Sequence, residues 1–159
     1  MHMATTLLLM RHADAISALT ADMPLSEKGK ITQEKMCAFL KLNGYRLHHI
    51  YTSTLLRAKQ TAEIIGNTFH CIAEEEKKLG SHFDEEYLLA LIPEPAENQT
   101  IAFVGHAPTL YLFAKRLLEG NYTPPDIERS GALVLRFDES IGFGKACFVT
   151  YYSPRNTTM

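Results

Sequence analysis

The fold class this sequence predicts is a three-layer α/β/α sandwich. Its central sheet is largely parallel, with an antiparallel strand pair near the C-terminus. Three observations lead there. Short, unbroken apolar runs at 5–10 and 101–104 have the composition of strands buried on both faces. Segments with helical apolar spacing follow them, so strands and helices alternate through the first two-thirds of the chain. The remainder carries two strand-like runs, 132–137 and 145–151, joined by a glycine-containing loop that suits a hairpin.

The elements follow in order. Residues 5–10 form the first strand. Ser26 can cap a helix whose inner face is Ile31, Ala38, Phe39 and Leu42, with Gly44 as its stop. Residues 48–52 read as a second strand. Ser53 or Thr54 then caps a helix with Leu55, Ala58, Ala62 and Ile65 on one face, ending near Gly66. A third strand is expected at 69–73, followed by a charged, irregular stretch at 74–82 and a short helix at 84–91. After 101–104 comes Gly105-His106-Ala107-Pro108. Pro108 suits a first helical turn, and Leu110, Phe113, Ala114 and Leu117 supply that helix's inner face before Gly120.

Composition bounds the function. The 159 residues suit a single domain, 1–159, with residues 1–4 read as a cloning remnant or an unstructured start. A net charge of −2, from 16 Lys+Arg against 18 Asp+Glu, argues against nucleic acid or an anionic membrane as partner. Any bound anion must be held by a few placed cations. The three widely spaced cysteines, Cys37, Cys71 and Cys147, suit neither a disulfide framework nor a zinc knuckle. They point to a reducing compartment, the cytoplasm. No apolar run nears the roughly 18 residues of a membrane span. No metal and no cofactor are expected.

In a parallel sheet, ligands bind beyond the carboxyl ends of the strands. Here Arg11-His12 follows the first strand, Ser53…Arg57 the second, and Gly105-His106 the later one. If these strands are neighbours, two histidines and two arginines converge beside helix N-termini. Guanidinium forks and backbone N–H groups suit phosphate, and an imidazole there can act as nucleophile or acid–base group near neutral pH. Ser130, ahead of the final strand pair, suits either a substrate contact or a turn.

Three motifs carry a resemblance. Leu8-Leu9-Met10-Arg11-His12-Ala13, Ser53-Thr54-Leu55-Leu56-Arg57-Ala58-Lys59-Gln60-Thr61-Ala62 and Val104-Gly105-His106-Ala107-Pro108 resemble, in order and spacing, the signatures of the histidine phosphatase (phosphoglycerate-mutase-like) superfamily. Pro24-Leu25-Ser26-Glu27-Lys28-Gly29 is similar to the segment that opens the first helix in that group. The short chain, with no inserted cap, is most similar to the SixA-type phosphohistidine phosphatase branch.

The resemblance implies a metal-independent phosphatase with a covalent phosphohistidine intermediate. His12 would be the nucleophile, Arg11 and Arg57 the phosphate clamp, and His106 the transition-state stabiliser, also binding phosphate. Glu85 and Glu86 are the candidate general acids by position, with Asp14 as an outside choice. The implied partner is a phosphohistidine domain of a signalling phosphotransfer protein, or else a small phosphate ester or sugar phosphate. A non-catalytic module that binds phosphorylated partners is the reading from another class. Two positions depart from the family pattern: Ala13, commonly Gly, and Met23, where many branch members carry a basic residue.

Overall fold

The computed structural model describes residues 3–17 and 22–157. Ten principal elements run in the order β1 (Thr5–Arg11), α1 (Glu27–Leu42), β2 (His49–Thr52), α2 (Leu56–Phe69), β3 (Ala73–Glu75), α3 (Glu85–Ala90), β4 (Gln99–Gly105), α4 (Thr109–Leu117), β5 (Ala132–Phe137) and β6 (Ala146–Tyr152). The sheet order is β3-β2-β4-β1-β5-β6. The first four strands pair in parallel, while β5 runs antiparallel to both β1 and β6. None of the described helices is long and apolar enough to cross a membrane.

Strand β1 shows why the sandwich has two cores. Its side chains alternate between faces, and both faces are covered. Leu7 and Leu9 join Phe103, Leu110, Phe113 and Leu117 on the α4 side. Leu8 and Met10 join Met36, Leu40, Ala58 and Ile65 under α1 and α2. The inner face of α4 is the expected one, with Leu110, Phe113, Ala114 and Leu117 all buried.

The structure departs from the sequence reading in five places. In α1 the period is right and the phase is not. The buried stripe is Gly29, Gln33, Met36, Cys37 and Leu40, while Ile31 and Leu42 are exposed. Polar Gln33 sits inside because its amide donates to Cys37 Sγ, and Gly29 because the chain packs on it. Neither residue registers in an apolar count. The cap of α2 is Leu55, whose side chain caps nothing; instead Asp22 Oδ1 accepts from the Leu56 N–H at 2.7 Å. The helix runs through Gly66 to Phe69, because Gly66 serves close packing rather than termination: a Cβ there would strike the Cys71 carbonyl. The third strand consequently starts later, at Ala73, with Glu74 and Glu75 exposed along the sheet edge. Acidic side chains on an edge strand also discourage pairing with another chain. At the start of the chain, Ala4 is buried and donates its N–H to Asn98 Oδ1, so it belongs to the domain. Met1 and His2 lie outside the described residues.

Gly29 yields a prediction opposite to helix propensity. Alanine in place of glycine within a helix ordinarily stabilises by about 1 kcal/mol. Here the added Cβ would collide with the Asp14 carbonyl, which accepts the Ser26 N–H at 3.0 Å and cannot easily retreat. Gly29→Ala should therefore destabilise by about 2 kcal/mol, an overpacking cost read by urea denaturation. Unchanged or raised stability would show that the 14–29 contact is soft.

Candidate active site

The register of three strands assembles the site. Arg11 pairs with Gly105 across β1 and β4, and Thr52 pairs with Val104 across β2 and β4. The next residues continue the alignment: His12 N–H donates to the Gly105 carbonyl at 3.0 Å and Ser53 N–H to the Val104 carbonyl at 3.1 Å. The three motifs thus leave the sheet side by side, one strand spacing apart. The crevice lies where connections diverge, because β1 leads through α1 to one side of the sheet and β4 leads through α4 to the other. This is the topological switch point at which α/β sheets bind ligands.

His12 is only 7% exposed, and its ring is held at both nitrogens. Nδ1 lies 2.8 Å from the Ala13 carbonyl, which can only accept, so the proton resides on Nδ1. Nε2 is left with its lone pair and accepts from Arg57 Nε at 3.3 Å. The His106 ring lies 5.2 Å away, centroid to centroid. His106 Nε2 is 2.7 Å from Ser53 Oγ, while its Nδ1 is buried without a hydrogen-bond partner. Arg11 donates from Nη1 to the Ile127 carbonyl at 3.3 Å, and its Nε is likewise buried and unpaired. These four side chains line one cleft of about 410 Å³, together with Ala15, Met23 and Arg129 among others.

Two further motif residues hold the walls. Gln60 and Thr61 lie three and four positions beyond Arg57, on the same side of α2. Gln60 Oε1 accepts the Leu25 N–H at 2.7 Å. Thr61 Oγ1 accepts the Ala13 N–H at 3.0 Å while donating to the Arg57 carbonyl. Helix α2 thereby fixes the loop that carries His12. That helical spacing was a signal available in the sequence.

The candidate acids lie elsewhere. Glu85 receives Arg116 Nη1 at 2.9 Å, and it lines a separate recess with Glu86. Asp14 accepts from Ser26 Oγ at 2.7 Å and from Arg129 Nη1 at 2.9 Å. The Ser26 hydroxyl first, and then the cations Arg129 and Lys28, hold its carboxyl below the usual range, so it stays ionised. Among the described residues, the cleft lining contains no carboxyl group. Ser130 adopts a left-handed conformation (φ 61°), and its N–H donates to the carbonyls of Arg11 and His12. Its backbone thus serves a turn. Arg129 carried no sequence signal and reaches the cleft only through that turn.

Burial governs the electrostatics. It pushes His12 down to about 4, with Arg57 and Arg11 adding to the effect against the opposing Ala13 carbonyl. Burial, followed by His12 and the same arginines, likewise takes His106 to about 4. Both rings are therefore neutral at pH 7. In the unfolded chain each would titrate near 6.5, so between pH 6.5 and 4 the unfolded state binds more protons. These histidines' stability contribution is thus complete above about pH 6.5 and is lost as pH falls through 4. Urea midpoints should drop across that window, and NMR should show two imidazoles titrating near 4. Midpoints near 6.5 for both rings would refute this.

Comparison with known proteins agrees with the geometry. Residues 7–81 match the model of the histidine phosphatase superfamily (branch 1). The chain is 28% identical to the phosphohistidine phosphatase SixA of Escherichia coli (strain K12), over 95% of each protein. Its structure is similar to that of the protein histidine phosphatase SixA complexed with tungstate, with a TM-score of 0.82, 27% identity, and coverage of 96% of this chain and 99% of that one. It shares the fold of SixA from Agrobacterium tumefaciens, at a TM-score of 0.78 and 24% identity over 94% and 98% of the two chains. Strand register, site and these similarities agree: what the chain resembles is the histidine phosphatase superfamily, and within it the SixA-type proteins.

Proposed function

We propose that this chain is a metal-independent phosphatase that acts on phosphohistidine in a phosphotransfer protein through a covalent intermediate on His12. The observation that carries the reading is the paired restraint of His12, with the proton held on Nδ1 by Ala13 and the lone pair on Nε2 beside Arg57. Nε2 attacks phosphorus in line as the bond from phosphorus to the substrate imidazole breaks. The departing nitrogen takes a proton from water. The hydroxide so left attacks the phosphoenzyme, and hydrogen phosphate leaves as His12 regains its neutral form. Arg11 and Arg57 clamp the non-bridging oxygens, and the unpaired nitrogens of Arg11 and His106 are donors a phosphate oxygen would satisfy. The transfer consists mostly of positioning and charge stabilisation, which this side-chain cage can supply.

The absence of a carboxyl group among the described cleft residues favours phosphohistidine over an ester. An alkoxide needs a proton in flight, whereas imidazole is a far better leaving group. Glu85, already paired with Arg116, is poorly situated to donate one. The proposed address is the cytoplasm, where the free thiols of Cys37, Cys71 and Cys147 would stay reduced.

The test presents the purified protein, with and without a chelator, with a phosphohistidine phosphotransfer protein, a panel of sugar phosphates and an aryl phosphate. Chelator-insensitive release, fastest from phosphohistidine, is expected. Preference for a sugar phosphate would replace this reading with ester hydrolysis. Binding without release from any substrate would leave a recognition module.

A further inference from the structure

Beside the cleft lies a second recess, of about 560 Å³, which shares Arg11 and Arg129 with it. Its lining includes four cations (Arg11, Lys28, Arg129 and Arg155) and two carboxylates (Asp14 and Glu128). That local excess contrasts with a net charge of −2 for the whole chain.

Both carboxylates are already engaged. Asp14 is held by Ser26 and Arg129. Glu128 receives Arg155 Nη2 at 2.8 Å and the Tyr151 hydroxyl at 3.0 Å. Each guanidinium has five N–H donors, so these pairings leave Arg129 and Arg155 with donors to spare. Lys28 adds its charge at the exposed start of α1.

The arrangement is set before any ligand arrives. Arg129 is placed by the Ser130 turn, whose N–H is bound to the end of β1, and by an Asp14 carboxylate fixed on the α1 cap. Pre-placed cations spare a ligand the ordering cost of long side chains. An independent observation points the same way. Ser130, only 1% exposed, lines this recess, and its hydroxyl is buried without a hydrogen-bond partner. Buried hydroxyls are nearly always paired. Met23 brings no charge to the cleft, so Arg129 is the third arginine lining it, and the one that continues into the recess.

We infer that this recess is a second anion subsite, which takes a carboxylate flanking the phosphorylated histidine of a protein substrate while the phosphoryl group occupies the cleft. The inference rests on the phosphoprotein reading above. The shared arginines make the two sites continuous, so one ligand can span them. Arg129 and Arg155 have side chains 56% and 81% exposed, reachable by a protein surface. Several exposed cations acting together suit steering and register rather than one tight contact.

The test measures equilibrium binding of two peptides that carry a non-hydrolysable phosphohistidine analogue, one flanked by glutamates and one by glutamines. The native protein should bind the glutamate peptide about five- to tenfold more tightly at low salt, since exposed pairs are worth up to about fivefold each. The preference should shrink as salt rises. It should fall below about twofold in Lys28→Gln/Arg129→Gln and reverse in Lys28→Glu/Arg129→Glu, by the same pairwise scale. Equal binding of the two peptides by native protein, no binding of either, or a preference that survives in both variants overturns the subsite. The two readings fail separately. A protein that shows the preference yet releases nothing from genuine phosphohistidine keeps the subsite and loses the phosphatase.

Discussion

Replacing His12 by alanine is expected to lower turnover by on the order of 10³-fold or more, because removing a covalent nucleophile removes the reaction path itself. The reasoning is geometric. The His12 ring is bound at Nδ1 by the Ala13 carbonyl and at Nε2 by Arg57, so only one nitrogen carries a lone pair, and it lies beside the guanidinium that would hold the phosphate. Among the described cleft residues, no other imidazole has its proton held by a backbone carbonyl: the hydrogen-bond partner of His106 is the Ser53 hydroxyl, 2.7 Å from its Nε2. Rapid quenching of the native enzyme with labelled substrate should trap an acid-labile, alkali-stable phosphoenzyme that His12→Ala does not form. Label retained in the variant would move the nucleophile elsewhere. The fold should persist, since His12 lies at the cleft and contributes to neither apolar core.

Arg57→Lys should reduce kcat/KM by about 100-fold, comparable to losing one well-aimed donor to a charged transition state. Charge is conserved in this change, and lysine is nearly as good a helix former, so stability should move little. What disappears is the planar fork. Arg57 Nε donates to His12 Nε2 at 3.3 Å, leaving the terminal nitrogens for phosphate oxygens. An ammonium is a point charge on a flexible stem and cannot serve both partners. The two steady-state constants should respond differently: kcat should carry more of the loss than KM, because the fork matters most as charge spreads over the oxygens in flight. A variant within tenfold of native activity would mean that positive charge alone suffices at this position.

Much of this architecture is local in origin, which explains what can be read from the chain. Strands buried on both faces leave unbroken apolar runs, so β1 and β4 were visible, and the α4 stripe matches its helical period. Helix α1 was visible as a helix and wrong in its face. Its interior includes Gly29 and Gln33, whose places depend on the Asp14 backbone and the Cys37 thiol. The end of α2 was misjudged for a related reason. A glycine can mark a helix end or a close approach, and only the neighbouring Cys71 carbonyl distinguishes the two at Gly66. The same limit applies to Glu85 and Glu86: their chain position suggested the cleft, but Glu85 pairs with Arg116 and both line a separate recess.

By itself the sequence determined the alternation of strands and helices, and the placing of His12, Ser53…Arg57 and His106 just past strand ends. Those features are periodic or contiguous, so no distant partner is needed to read them. Only the tertiary structure decided that these strands are neighbours, in the non-sequential order β2-β4-β1 and in a register that brings His12 and Ser53 level with the end of β4. It also decided which nitrogen of His12 is free, which carboxylates stay away from the cleft, and that Arg129 joins it from the far end of the chain. The strand register, the carboxylates and Arg129 depend on hydrogen bonds between residues far apart in sequence, and the His12 tautomer on how the backbone turns its neighbour's carbonyl, at Ala13, onto the ring. Periodicity holds no record of either.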